Sequence, residues 1–175
     1  MHHRNRTQHD PAGDQPHTPK RLLPLLLVAP LMVILDITAV NIAMPNIARD
    51  LHISGATISW TITAYSLVFG SLLLLGGRAA DLLGRRRMFL TGLGIFTASS
   101  LASALAGSAA ALFAARAGQG LGAAMLSPAA LSIITSNFHG QARAKALAAW
   151  GAVGGAGAAL GVLLGGVITE LVDWR

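Results

Sequence analysis

Five long apolar runs, separated by short charged segments, leave this chain few folds. They cover about residues 22–45, 58–76, 88–106, 110–134 and 146–171. A helix of about 20 residues crosses the roughly 30 Å hydrocarbon core of a bilayer. Lipid offers no partner to a bare backbone N–H or C=O, so each run is expected as a transmembrane α-helix. Of the 175 residues, 53% are hydrophobic and 11% charged; soluble domains carry about 25% charged residues. The expected fold class is an all-α membrane protein. With no cysteine in the chain, disulfides and thiolate metal sites are excluded. A formal charge of +6 could suit a nucleic-acid binder. Its basic residues instead cluster at the ends of apolar runs, as membrane topology requires, so nucleic acid is not an expected partner.

Residues 1–20 are polar, rich in His and Pro, and read as a disordered tail. Lys20 and Arg21 then lead into the first run. A signal peptide would share that pattern, but the polar tail in front and four further runs argue against it. Asn46 to Thr57 reads as a polar connection, and Trp60 as an interfacial anchor of the second run. The link Gly107-Ser108-Ala109 is so short that spans 3 and 4 should pair antiparallel. Thr135 to Lys145 reads as another polar link, and Pro128 as a kink. Between spans 2 and 3 lies the most charged segment, GRAADLLGRRR, residues 77–87, expected as a surface loop. If five spans alternate sides, the tail, this loop and the 135–145 link share one side with ten Lys and Arg. Only two, Arg49 and Arg175, face the other. That bias places the N-terminus and the 77–87 loop in the cytoplasm of a multi-pass cell-membrane protein, and the end of the chain outside.

Asp36 and Arg116 are the charged residues deep inside the runs. Each costs about 2.5–3.5 kcal/mol at mid-helix on insertion scales, so such residues normally face a protein interior or an aqueous cavity. At about 1.5 Å per residue, both lie roughly 9 Å from the same boundary, which makes pairing feasible. A neighbouring cation favours an ionised carboxylate and burial disfavours it. A site holding both can therefore change protonation when one group moves; a static ion pair is the bland alternative. Arg116, Gln119, Gly120, Ala123 and Ala124 share one helical face, suited either to lining a cavity or to packing. Gly157, Gly161 and Gly165, with Gly166 beside them, form a small-residue stripe for close helix approach, as do Gly151 and Gly155. Thr38, Asn41 and Tyr65 could line a cavity, with packing equally open. No hydrolytic constellation and no cofactor site is evident, so an enzyme is not expected.

Taken together, these stretches resemble the major facilitator superfamily, and within it the fourteen-span drug:proton antiporters. GRAADLLGRRR is similar to that superfamily's loop between spans 2 and 3, with Gly77, Asp81, Gly84, Arg85, Arg86 and Arg87 matching its G-x3-D-x2-G-R-[RK]-[RK] pattern. LDITAVNIAMP (35–45) resembles the span-1 signature of the drug-antiporter branch. RAGQGLGAA (116–124) resembles the span-4 signature whose Arg is implicated in proton coupling, and GAALGVLLGG (157–166) the span-5 antiporter motif. One departure is Val162, where that motif has proline.

The resemblance implies alternating access, with small molecules and protons as partners and the lipid bilayer as surroundings. It implies five helices of an N-terminal six-helix half, with a C-terminal half missing from this chain. Spans 1 and 4 would lie beside the central cavity, and spans 2 and 5 would meet the other half. Asp36 would be the proton or cation site, with Arg116 and Gln119 beside it. Residues 77–87 would form part of a cytoplasmic gate. A facilitator or symporter of sugars or metabolites on the same fold, and a non-transporting membrane interaction module, stay open as alternatives.

Overall fold

A computed structural model describes residues 22–171. The expected tail over 1–20 and the segment ending at Arg175 lie outside the described residues. Six helices follow one another: α1 (Leu22–Asp50), α2 (Gly55–Ile58), α3 (Trp60–Leu83), α4 (Arg85–Ala104), α5 (Ala109–Asn137) and α6 (Gly140–Leu171). There is no strand among the described residues. Four stretches, 22–50, 55–83, 109–137 and 140–167, are long and apolar enough to cross a membrane. At 20 residues, α4 is also of membrane length, about 30 Å, but less apolar. Arg85, Arg86 and Arg87 open it and hydroxyls punctuate it; Ser100 and Ser103 turn inward and bond Gln119 of α5. The architecture is all-α, with five membrane-length helices.

The helices outrun the apolar windows. α1 continues through Asn46, Arg49 and Asp50, within the expected 46–57 connection. The expected 77–87 loop is helical except at Gly84, and the 135–145 link shrinks to Phe138 and His139. A window of hydropathy registers only the part of a helix that lipid surrounds, whereas backbone hydrogen bonds carry the helix on into the polar interface. Gly84 breaks the α3–α4 junction with φ +98°, a region that a Cβ makes costly. The start of α5 is set by Ser108, whose Oγ accepts from Ala111 N–H at 3.3 Å, satisfying a donor that the first turn would otherwise leave bare.

Central to the bundle is α5, which packs chiefly on α3 and α4, while α1 and α6 pair with each other. Glycines allow the tightest crossings. Gly76 of α3 abuts the Ala124 carbonyl. On α4 and α5, Gly92 and Gly122 face each other so closely that a Cβ on Gly122 would lie 2.6 Å from Phe96 N. Along α6, Gly157 meets Leu31 and Ile34, Gly161 meets Thr38, and Gly165 meets Ala39 and Ile42 of α1. A Cβ at Gly151, Gly155 or Gly166 would meet open space. The apolar core lies between α1, α3, α4 and α5, with Leu26, Val33, Phe89, Phe96, Leu126 and Ile134 among its members.

Candidate functional site

The fold brings Asp36 of α1 and Arg116 of α5 together inside the helix bundle. Arg116 Nη1 donates to Asp36 Oδ2 at 2.5 Å. Gln119, one turn along α5, joins both: its Nε2 donates to Asp36 Oδ1 at 2.6 Å, and its Oε1 accepts from Arg116 Nη1 at 2.7 Å. From α4, Ser100 Oγ accepts from Gln119 Nε2 at 2.7 Å, and Ser103 Oγ donates to Gln119 Oε1 at 3.3 Å. From α3, the Thr61 carbonyl accepts from Arg116 Nε at 3.2 Å. The Tyr65 ring lies beneath the guanidinium, 4.7 Å from Cζ to centroid, and stacks on Phe69 with centroids 5.8 Å apart. Four helices thus hold one polar network. A guanidinium buried at 2% exposure is tolerable because carboxylate, amide, carbonyl and ring face all compensate it.

Asp36 is the member of the pair that reaches open space. With Ala39, Val40, Ser100, Ser103 and Gln119 it borders a cavity of about 200 Å³. A water's share of liquid is about 30 Å³, so the cavity can hold a few waters or a small cation. It is smaller than the roughly 300–1,000 Å³ of drug-sized pockets. Arginine cannot shed its proton, so Asp36 is the only one of the two that can exchange one with the cavity.

Thr38, Asn41 and Tyr65 do not border this cavity. Thr38 faces Gly161 on α6 and donates to the Ile34 carbonyl at 2.7 Å. Asn41 is exposed and donates to the Ile37 carbonyl at 2.8 Å. Tyr65 is buried under Arg116. Of the α5 face, Arg116, Gln119, Ala123 and Ala124 are buried and Gly120 abuts the Tyr65 carbonyl, so the face packs, and Gln119 alone of them borders the cavity. Ser100 and Ser103 escaped the sequence reading. Their signal was faint: two of five hydroxyls on that run, beside Thr91, Thr97 and Ser99, with nothing in the spacing to set them apart.

At the far end of α3, Asp81 and Arg85 pair across the Gly84 break at 3.6 Å, with side-chain exposures of 60% and 41%. Arg85 also donates to the Ser132 carbonyl at 3.5 Å. Arg86 and Arg87 are exposed, and Gly77 lies against Pro128. Gly77 and Asp81 border an open groove of about 810 Å³ that Leu74, Leu131 and Trp150 complete.

The family model of the Major Facilitator Superfamily matches residues 26–175. The chain belongs to that superfamily. Among its relatives, a puromycin resistance protein of Streptomyces alboniger is 51% identical over 154 residues, 87% of this chain and 31% of the relative. The cephamycin export protein of Amycolatopsis lactamdurans is 46% identical over 154 residues, 87% of this chain and 32% of its own. A lincomycin resistance protein of Streptomyces lincolnensis is 45% identical over 158 residues, again 87% of this chain and 32% of the relative. The superfamily chain thus spans about a third of the length of these relatives.

Proposed function

We propose that this chain forms part of the N-terminal half of a cell-membrane transporter that exports small amphipathic or cationic compounds in exchange for protons. The observation that carries the reading is the Asp36–Arg116–Gln119 network at the inner edge of a cavity that runs from Asp36 towards Ile47, Ala104 and Leu112. The charge bias along the chain favours a cytoplasmic N-terminus. In this reading Asp36 takes up a proton or meets a cationic substrate, and Arg116 holds the carboxylate when neither is present. Gln119, tied to Ser100, keeps the two in register. Neutralising Asp36 weakens its hold on Arg116, which gives the bundle two arrangements for a proton to choose between. The small cavity is then one wall of a substrate site that a second half would complete. The 77–87 segment acts as a cytoplasmic gate through Asp81 and the three arginines. The names of the relatives, which speak of antibiotic resistance and export, support the direction of transport.

The test is an Asp36→Asn variant of the full-length transporter in inverted vesicles with an imposed pH gradient, transport being normalised to inserted protein. Gradient-driven movement of a cationic dye should fall at least tenfold. Undiminished movement removes Asp36 from the coupling role. A facilitator or symporter has one observation in its favour: α6 runs unbroken from Gly140 to Leu171, with Val162 where the antiporter pattern has proline. Proton flow in the same direction as substrate would select that reading.

A further inference from the structure

A second cleft lies at the end of the bundle that carries the arginines, away from the Asp36 network. Leu25 and Leu26 of α1, Arg85, Arg86, Phe89 and Leu90 of α4, and the end of α5 enclose about 420 Å³. Its two ends differ in chemistry. The guanidinium groups stand at the first turn of α4, where the helix leaves the apolar zone, and Phe89 and Leu90 lie one turn deeper. Leu25 and Leu90 are about half exposed, at 56% and 53%, so the cleft opens on the lipid-facing side. The exposed polar side chains on the α5 wall bond their own helix: Ser136 Oγ donates to the Ser132 carbonyl at 2.9 Å, and Asn137 Nδ2 to the Ile133 carbonyl at 2.9 Å. Arg85 is shared with Asp81 and Ser132, whereas Arg86 has no carboxylate partner among the described residues and is exposed.

We propose that this cleft binds an anionic phospholipid, its phosphate on Arg86 and Arg85 and an acyl chain along Leu25, Leu26, Phe89 and Leu90. Charge complementarity selects the occupant. A cationic end above an apolar wall, open to lipid and one helical turn deep, matches a phosphate above an acyl chain. A zwitterionic lipid carries its own ammonium towards the arginines and gains less. The basic segment Lys20-Arg21 that leads into α1 has the wrong sign to fill the cleft.

The purified full-length protein, stripped of lipid in detergent, tests this by native mass spectrometry and thermal unfolding with phosphatidylglycerol, phosphatidylcholine or inorganic phosphate added. Phosphatidylglycerol should be retained and raise the unfolding temperature, the other two not. Arg86→Gln should weaken phosphatidylglycerol retention about fivefold, the scale of one surface cation on an anionic lipid. Leu90→Trp, which narrows the cleft and keeps both arginines, should weaken it as well. Arg143→Gln, a charge removed from the start of α6, should not. Equal retention of phosphatidylcholine overturns the proposal, as does an equal loss in Arg143→Gln or a matching effect of inorganic phosphate.

Discussion

Arg116 and Asp36, eighty residues apart in the chain, meet at 2.5 Å inside the bundle. They are not equivalent partners. Arg116 is 2% exposed and permanently charged, while Asp36 is 15% exposed and can take a proton. Removing the carboxylate strands a buried cation; removing the cation leaves an acid that can neutralise itself. Asp36→Asn should therefore destabilise the bundle by on the order of 3 kcal/mol, and Arg116→Gln by less. The double variant should recover part of the loss. Unfolding temperatures of the four proteins in one detergent check the order, and equal costs for the two single variants would contradict it.

Close helix approach gives a second prediction. Gly122 lies against the α4 backbone, where an added Cβ would stand 2.6 Å from Phe96 N and 2.8 Å from Gly92 O. Backbone cannot swing aside as a side chain can. Gly122→Ala should cost about 1–3 kcal/mol as α4 and α5 are forced apart. The contrasting change is Gly151→Ala, which meets nothing and should stabilise by up to about 1 kcal/mol through helix propensity. Thermal unfolding distinguishes them.

These glycines also show where sequence reading stops. The stripe at Gly157, Gly161 and Gly165 was visible because its spacing is regular, and it does pack on α1. Gly76, Gly92 and Gly122 lie against the backbone of a neighbouring helix but sit on three different helices, and no spacing within one run reveals a crossing between two. The meeting of Asp36 and Arg116 was legible because a charge in lipid demands compensation and depth follows from residue count. Ser100 and Ser103 were not, since a hydroxyl can bond its own helix and then signals nothing. Helix ends were misjudged for a related reason. Asn46 to Asp50, Gly77 to Leu83 and Gly140 to Lys145 are polar or mixed in sequence yet helical, because hydropathy reports the solvent around a helix and not its hydrogen bonding.

Tyr65 offers a third test. Its ring supports Arg116 and stacks on Phe69, while its hydroxyl is buried without a hydrogen-bond partner among the described residues. Phenylalanine keeps both ring contacts and removes a polar atom that gains nothing here. Tyr65→Phe should leave thermal stability unchanged or slightly raised. If the hydroxyl finds a partner when the pair at Asp36 opens, the same variant should slow transport. A clear fall in unfolding temperature would mean that the hydroxyl is already bonded in the resting bundle.

Asp81 separates anchor from gate. Its pair with Arg85 spans 3.6 Å with both side chains largely in solvent. Such pairs contribute about 0–1 kcal/mol, so Asp81→Asn should scarcely move the unfolding temperature. The basic end of α4 would still hold the segment at the membrane surface, so topology should persist too. A purely topogenic role therefore predicts a variant with normal insertion, stability and transport. A gate predicts normal insertion and stability with dye efflux reduced severalfold, because Asp81 borders the open groove below Trp150, where a second half could meet it. Measuring efflux together with unfolding temperature in Asp81→Asn decides between the two. Gly84→Ala supplies the comparison: its φ of +98° should make the substitution cost about 1–3 kcal/mol, so it should lose stability and efflux together, whereas Asp81→Asn should lose efflux alone.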